Sequence, residues 1–570
     1  MHDLLRELGR SIVREKSPKE PRKWSRLWNQ QDLSHVLREN KTAENLEAIV
    51  VQPKLHGIRK KLSAGHVNFS GCPNFLSNEL RYLSWYEYPF TCLPSSFQPN
   101  KLVKLILSHS NIKKLWKGIK VLHNLTHLEL CDSKNLVKIP NLSQAPNLEH
   151  LNLKGCVKLV YLDASIGSLQ KLRFLNLENC ENLVSIPNSI FDLNSLRNLN
   201  LCGCWKLFKY QLLEKPRQSQ QLNTGQSVQR HMKSSICTTL IRPLHCFSSR
   251  RHPNLVGLLL PCLSRFPALT DLNISFCNLV QIPDAIEQLR CLGSLNIGGN
   301  NIVKLPDCIK ELPKLRRLNL EYCKHLKWLP STLLPMEGTS RRVKYGGIWR
   351  GLYVFNCPNL SDKEGCRVTV ISWMIKMIQV NSQGIIEVVT PGSKIPRWFN
   401  KQNTGDSVKL DPSPILDNNN WIGIACCATF VVHDAPAQNF KETEMYEYLI
   451  YGGFRGNPLG LTLYSTVPIH FKKGLITTEL DHVLLMFFFR ESFVRLVSFI
   501  NDGAFNPDKI EFATNVIDLA YSEVVEVKRC GYRWVFKEDL EQLNPTMMFG
   551  ANSSDQNQKH NFLAVEDASL

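Results

Sequence analysis

Residues 172–187 read LRFLNLENCENLVSIP, residues 148–162 just before them read LEHLNLKGCVKLVYL, and residues 125–140 read LTHLELCDSKNLVKIP. All three carry the phrase L-x-x-L-x-L-x-x-C/N or a close variant of it. From Leu80 to Pro330 copies begin at Leu80, Leu102, Leu125, Leu148, Leu172, Leu196, Leu269, Leu292 and Leu315, spaced 22, 23, 23, 24, 24, 73, 23 and 23 residues apart, with a possible last copy at Leu352. A fixed period of this length is the signature of a repeat architecture, and the phrase is that of a leucine-rich repeat.

In L-x-x-L-x-L the leucines alternate inward on a short strand while the residues between them point outward. A single unit cannot bury its own leucines. Successive units therefore stack into a curved solenoid with a parallel sheet on its concave side. The Cys or Asn that follows the third leucine-type position sits where the chain turns back inward: Cys156, Cys180, Cys204, Cys277, Cys323, Cys357 and Asn300. Stacked repeats set these thiols in a row rather than around a tetrahedron. The expectation is buried groups bonded to neighbouring backbone, not metal ligands. The 73-residue interval between Leu196 and Leu269 holds no clean phrase. Within it, 254–267 reads as a convex-side helix or irregular repeat and 208–252 as a mobile surface loop.

The chain has 570 residues, enough for about three domains, with 43% hydrophobic and 21% charged residues, so wholesale disorder is excluded. No apolar run approaches the ~20 residues of a bilayer span, and the first fifteen residues carry too many charges for a secretory signal. Nineteen cysteines scattered through a chain of this size read as reduced thiols, which predicts a cytoplasmic or nuclear protein. The balance of 69 Lys and Arg against 50 Asp and Glu gives +19. Segment 208–252 contributes +7 of it (eight bases against Glu214) and 301–350 another +7 (eleven bases against four acids). Neither interleaves aromatic residues as a base-stacking surface would, so solvated charge is the expectation and a nucleic-acid-binding loop the alternative.

Function in a solenoid sits on the outward strand positions of the concave face. The candidate protein-binding residues are Lys104, His127, Glu129, His150, Lys154 and Phe174 on the earlier strands, and Glu178, Asn198, Asp271, Arg317 and Glu321 on the later ones. Their variation in charge and size is what a surface adapted to one macromolecule would show. One column between the second and third leucines is uniform: Asn152, Asn176, Asn200, Asn273, Asn296 and Asn319. Stacked amides would form a ladder there. No Ser/His/Asp set or paired carboxylates stand out, so the chain is not expected to be an enzyme.

The two ends add their own evidence. At the start, apolar residues at 4, 5, 8, 12 and 13 follow helical spacing, and a second amphipathic helix ends near Glu39. The sequence Met1-His2-Asp3, then Gly9-Arg10-Ser11-Ile12-Val13-Arg14, then Ser25-Arg26-Leu27-Trp28 resembles the close of the ATPase module in plant intracellular immune receptors of the TIR–nucleotide-binding–leucine-rich-repeat class. At the other end, short apolar runs separated by turn residues read as an antiparallel sandwich over 385–542. There Pro391-Gly392-Ser393, Trp398-Phe399, Trp421-Ile422-Gly423 and Val527-Lys528-Arg529-Cys530-Gly531 resemble the jelly-roll/Ig-like domain that follows the repeats in the same receptors.

The resemblance implies an N-terminally truncated fragment of such a receptor. Its parts would be a winged-helix end of the nucleotide-binding module at 1–60, a leucine-rich-repeat solenoid at 75–360, the sandwich at 385–542 and a polar tail at 550–570. The fold class is therefore multidomain, α/β in the solenoid and all-β in the sandwich. By resemblance His2 and Asp3 would be the sensor of bound ADP. No G-x-x-x-x-G-K-[ST] phosphate cradle stands anywhere in the sequence, so no cofactor is expected on this chain, whereas the full-length family takes ADP or ATP. The family further implies recognition of a pathogen effector or a guarded host protein, contact with the chain's own TIR and nucleotide-binding modules, and no membrane partner. NAD-cleaving activity would belong to a TIR domain, which is absent from this sequence.

Overall fold

The computed structural model describes residues 3–15, 17–38, 45–52, 75–208, 265–330, 349–360, 363–381, 383–411, 420–433, 446–457, 461–471, 480–498, 506–516 and 525–542. Each repeat phrase becomes a three- or four-residue parallel strand. These are β3 (Tyr82–Trp85), β4 (Lys104–Ile106), β5 (His127–Glu129), β6 (His150–Asn152), β7 (Phe174–Asn176) and β8 (Asn198–Asn200), then β9 (Asp271–Asn273), β10 (Ser294–Asn296) and β11 (Arg317–Asn319). Every central leucine is buried and every flanking residue at least partly so, which is the alternation that the phrase encodes.

The sheet begins before the first phrase. β1 (Arg26–Leu27) pairs parallel with β2 (Ala48–Val51), and β2 pairs parallel with β3, so part of the segment expected to close an N-terminal helical module supplies the first two strands of the solenoid sheet. Two helices, α1 (Asp3–Glu15) and α2 (Gln30–Arg38), flank them where helical spacing placed them. The interval after β8 adds no strand to the stack. β8 pairs directly with β9, Asn198 opposite Asp271 and Leu199 opposite Leu272, so the turns on either side of the interval are neighbours in the stack. The expected loop and irregular repeat lie almost wholly outside the described residues.

The turn thiols form the expected ladder. Cys156, Cys180 and Cys204 donate to the carbonyls of Leu130, Leu153 and Leu177 at 3.1–3.2 Å, and Cys277, Cys323 and Cys357 continue the pattern. Burial pushes the Cys180 and Cys323 thiols up to about 12, which keeps them protonated and inert. Ser110 and Ser133 hold the same position in the early repeats, their hydroxyls 2.7 Å apart. Cys92 departs from the expectation of reduced thiols, because it is disulfide-bonded, while the other fourteen described cysteines are free.

Just before the ladder position the chain turns through positive φ, at Asp132 (54°), Gly155 (70°), Asn179 (57°) and Gly203 (73°). Bulky and bare residues alternate along this row for a steric reason. A Cβ on Gly155 would lie 2.2 Å from the Asp132 carboxylate, and one on Gly299 2.2 Å from the Phe276 ring. Each long side chain leans over the glycine of the next turn.

The sandwich grows out of the solenoid sheet instead of standing beside it. β12 (Trp349–Tyr353) pairs parallel with β11, and β13 (Ile385–Pro391) pairs parallel with β12. A parallel step needs a crossover, and the helix Lys363–Val380 supplies it, burying Ile371, Trp373, Met374 and Ile378 against the solenoid core. The sequence reading did not foresee this helix: apolar residues cover most of its circumference, leaving only a narrow polar side of Thr369, Ser372, Lys376 and Gln379. From β13 the sheet turns antiparallel through β19 (His482–Phe489), β16 (Trp421–Val432), β21 (Val525–Phe536) and β14 (Lys401–Thr404), completing seventeen strands. A second sheet of β15 (Ser407–Lys409), β20 (Asn506–Val516), β17 (Tyr446–Asn457) and β18 (Leu461–Phe471) faces it.

Alternate residues of β13, β16 and β19 serve two cores. Ile386, Val388, Leu485 and Phe487 extend the solenoid core. Ile385, Val389, Leu484 and Phe488 pack with Phe454, Ile510 and Phe512 of the second sheet, and with Tyr322, Tyr353 and Phe355 of the last repeats. The concave face of the solenoid thus becomes the interior of the sandwich.

Candidate functional site

Strand register assembles the concave face into rows. Lys104, His127, His150, Phe174, Asn198 and Asp271 stand opposite one another in turn, and the row continues through Ser294 and Arg317 to Gly351 and Glu387. Seven of the eleven sequence candidates lie in this one row. Glu129 stands in the next, among the asparagines, and Lys154, Glu178 and Glu321 lie beyond the strand ends.

At the early end the row is an aromatic stack. The His127 and His150 rings lie 5.4 Å apart and the His150 and Phe174 rings 4.2 Å apart at 4°. Burial lowers the pKa of His127, with Lys104 adding to it, and burial likewise lowers that of His150 against the opposing pull of Glu129. Glu129 stands 3.8 Å from His150. Beside the stack, Lys154 and Glu178 pair at 2.9 Å. Partial burial works to lower the Lys154 ammonium, but the Glu178 charge and hydrogen bond outweigh it and hold the pKa above its ordinary value. Glu321 is 2% exposed, so the structure withdraws it from the candidate surface.

The asparagine column does not form a ladder of amides bonded to one another. Each side-chain oxygen accepts the backbone N–H two residues on: Lys154 to Asn152, Glu178 to Asn176, Cys202 to Asn200, Ser275 to Asn273, Gly298 to Asn296 and Glu321 to Asn319, at 2.8–3.2 Å. The turn leaving each strand offers an unmet N–H within reach, and meeting it turns each amide oxygen toward its own chain instead of along the stack. The asparagines are turn caps that also floor the concave face.

At the late end the row opens into a cavity of about 280 Å³ between Phe174 and Tyr353, floored by Asn273, Asn296 and Asn319 and flanked by Asp271 and Arg317. Tyr353 closes it. Its ring lies across Gly351, where any side chain would meet the ring at 2.4–2.5 Å. Its hydroxyl donates to Glu387 at 2.8 Å, and the Arg317 guanidinium sits 5.6 Å from the ring and 3.4 Å from the hydroxyl. Glu387 is fully buried. Sequence reasoning missed Tyr353 and Glu387. The signal was present in the register, since aligning Leu352 with Leu318 places Gly351 opposite Arg317 and Tyr353 opposite Asn319.

For the remaining candidates, His2 lies outside the described residues and Asp3 is described only as the first residue of α1. Among the described residues no cluster of His, Cys, Asp or Glu could hold a metal ion, and no helix is long and apolar enough to cross a membrane.

Comparison with known proteins matches the C-JID domain over residues 390–541 and leucine-rich-repeat families over 267–324 and 101–120. Disease resistance protein RPP2B of Arabidopsis thaliana is 29% identical over 565 residues, an alignment covering 77% of this chain and 46% of the relative. Disease resistance protein RPP5 of the same plant is 38% identical over 192 residues, 30% of this chain and 13% of the relative. Disease resistance protein RPV1 of Vitis rotundifolia is 33% identical over 212 residues, 30% of this chain and 15% of the relative. The chain therefore spans less than half the length of each of these relatives.

Proposed function

From a chain that carries the leucine-rich-repeat and C-JID regions of plant TIR–NB-ARC–leucine-rich-repeat disease resistance proteins, we propose that it is the recognition portion of such a receptor. It binds a pathogen effector or a guarded host protein, in the cytoplasm or nucleus, through the concave row and the adjoining sandwich. The observation that carries this reading is the late half of the row. There the repeats vary their outward residues, the face opens into a cavity, and the same row of strand positions runs on into the interior of the C-JID sandwich beside it.

Site-specific photo-crosslinking tests it. A benzophenone amino acid is placed at Asn198 or Ser294 in the cavity, and at Ser168 or Glu311 on the 3-10 turns of the opposite side. In extracts of challenged plant tissue the cavity positions should yield a discrete protein adduct that the opposite positions do not. Identical adducts from both sides would overturn the reading.

A further inference from the structure

The chemistry of the cavity says what kind of segment it takes, an inference that rests on the concave face being the recognition surface. In Asn273, Asn296 and Asn319 the amide oxygen is committed to a backbone N–H. A backbone donor can bond only to the oxygen, so the orientation of each amide is fixed and its NH₂ group lies on the side away from the turn, on residues that line the cavity. None of these NH₂ groups has a partner among the described residues. The floor is thus a file of hydrogen-bond donors at strand spacing. Arg317 adds a guanidinium at the Tyr353 end, with four of its five N–H donors uncommitted to Tyr353. Phe174 adds an aromatic face at the other end, its ring already stacked on His150 from one side.

We propose that the groove binds an extended peptide segment of the partner, with one or two backbone carbonyls on the asparagine file, a carboxylate on Arg317 and an aromatic side chain against Phe174. The geometry fixes the spacing. From β7 to β11 is four strand steps of about 4.8 Å, or roughly 19 Å, and an extended chain covers that in about five to six residues. The groove favours peptide over nucleic acid because Asp271 lines it and Arg317 is the one cation among its lining residues, whereas a phosphate backbone requires several cations and no carboxylate.

The test uses the full chain and ligand-observed saturation-transfer NMR. The probes are the peptide acetyl-Phe-Ser-Gly-Ser-Gly-Glu-amide, the same peptide ending in Gln, a version with Phe and Glu two residues apart, and a single-stranded oligothymidine. The parent peptide should bind at low millimolar concentration, and the Gln and short-spaced peptides at least tenfold more weakly. The variant Asn296→Asp keeps the oxygen acceptor for the turn N–H group and replaces the middle donor of the file by an acceptor. It should melt as the parent chain does and lose at least tenfold in affinity for the Glu peptide. Absence of binding at 5 mM, indifference to Glu or to spacing, or tighter and steeply salt-dependent oligothymidine binding would overturn the proposal. If the peptide fails while cross-linking stays confined to the cavity, the recognition reading stands and only the segment chemistry falls.

Discussion

Asn300 takes the place that cysteine holds in most turns of the ladder, and its replacement by alanine should be far costlier than loss of a ladder thiol. It is 1% exposed. Its oxygen accepts from the N–H groups of Cys277 and Leu279 at 3.1 and 3.0 Å, and its nitrogen donates to the carbonyls of Ile274 and Ile297 at 2.9 and 2.8 Å. Asn300→Ala strands two donors and two acceptors in a dry core. At about 1 kcal/mol for each bond lost, the cost is about 4 kcal/mol. Cys180→Ala removes one weak S–H···O bond of 3.2 Å and one buried sulfur, about 1–1.5 kcal/mol. The difference of about 2.5 kcal/mol is between one and two decades in local opening. Deuterium exchange with mass spectrometry on a peptide spanning 274–282 reads it at the Cys277 and Leu279 amides. These should exchange ten- to a hundredfold faster in Asn300→Ala and be almost untouched in Cys180→Ala. Equal exchange in the two variants would show that the amide is a space-filler and that the ladder bonds carry no weight.

Other outcomes follow from the same geometry. Gly299→Ala, at φ 66° with its new Cβ inside the Phe276 ring, should destabilise by at least 3 kcal/mol, while Gly118→Ala, at φ 73° in open space, should cost about 1 kcal/mol; denaturant midpoints separate them. Tyr353→Phe leaves the buried Glu387 without its hydroxyl donor and should lower stability by about 1–3 kcal/mol in thermal melts, without unfolding the early repeats. His127 and His150 have folded pKa values below 6.5, so the unfolded chain binds more protons on acidification. Their contribution is harmless above pH 6.5 and destabilising as pH falls below it, and His127→Gln with His150→Gln should flatten that part of the stability–pH curve. Replacing 209–264 by a short Gly/Ser linker should move the melting temperature by no more than about 2 °C, because β8 and β9 already pair; if the basic stretch binds DNA, salt-sensitive DNA retention is lost with it.

The solenoid was legible because its signal is repeated. Nine copies of one phrase fix strand, register and inward face, and the ladder thiols follow from where the chain turns. The site was half legible for the same reason. Outward positions can be named column by column, but whether a residue such as Glu321 stays outward depends on what packs over it. The amide column shows a different limit: identical residues in a row suggest a ladder, yet each amide is satisfied locally by an N–H two residues on, a choice made by turn geometry rather than by period. The helix Lys363–Val380 was invisible because helical periodicity marks a helix with one wet side, and this one buries much of its circumference between β13 and the solenoid core.

The joint between the two regions was legible in sequence only as far as the possible last copy at Leu352; that the sandwich sheet continues from it was not. Two separate domains would present two independent surfaces. Here the row that runs from Lys104 to Arg317 continues through Gly351 to Glu387 and then to Met486, where the second sheet covers it. Tyr353 stands at the boundary with its ring in the groove and its hydroxyl on a carboxylate inside the sandwich. A segment that draws Arg317 away from Tyr353 changes the charge facing Glu387, and a shift of β13 moves Tyr353. If the groove is occupied as proposed, these three side chains would couple its occupancy to the packing of the C-JID sheet. Such a coupling would be reciprocal, so a substitution inside the sandwich that displaces β13 should alter peptide affinity in the groove, and unchanged affinity would refute it.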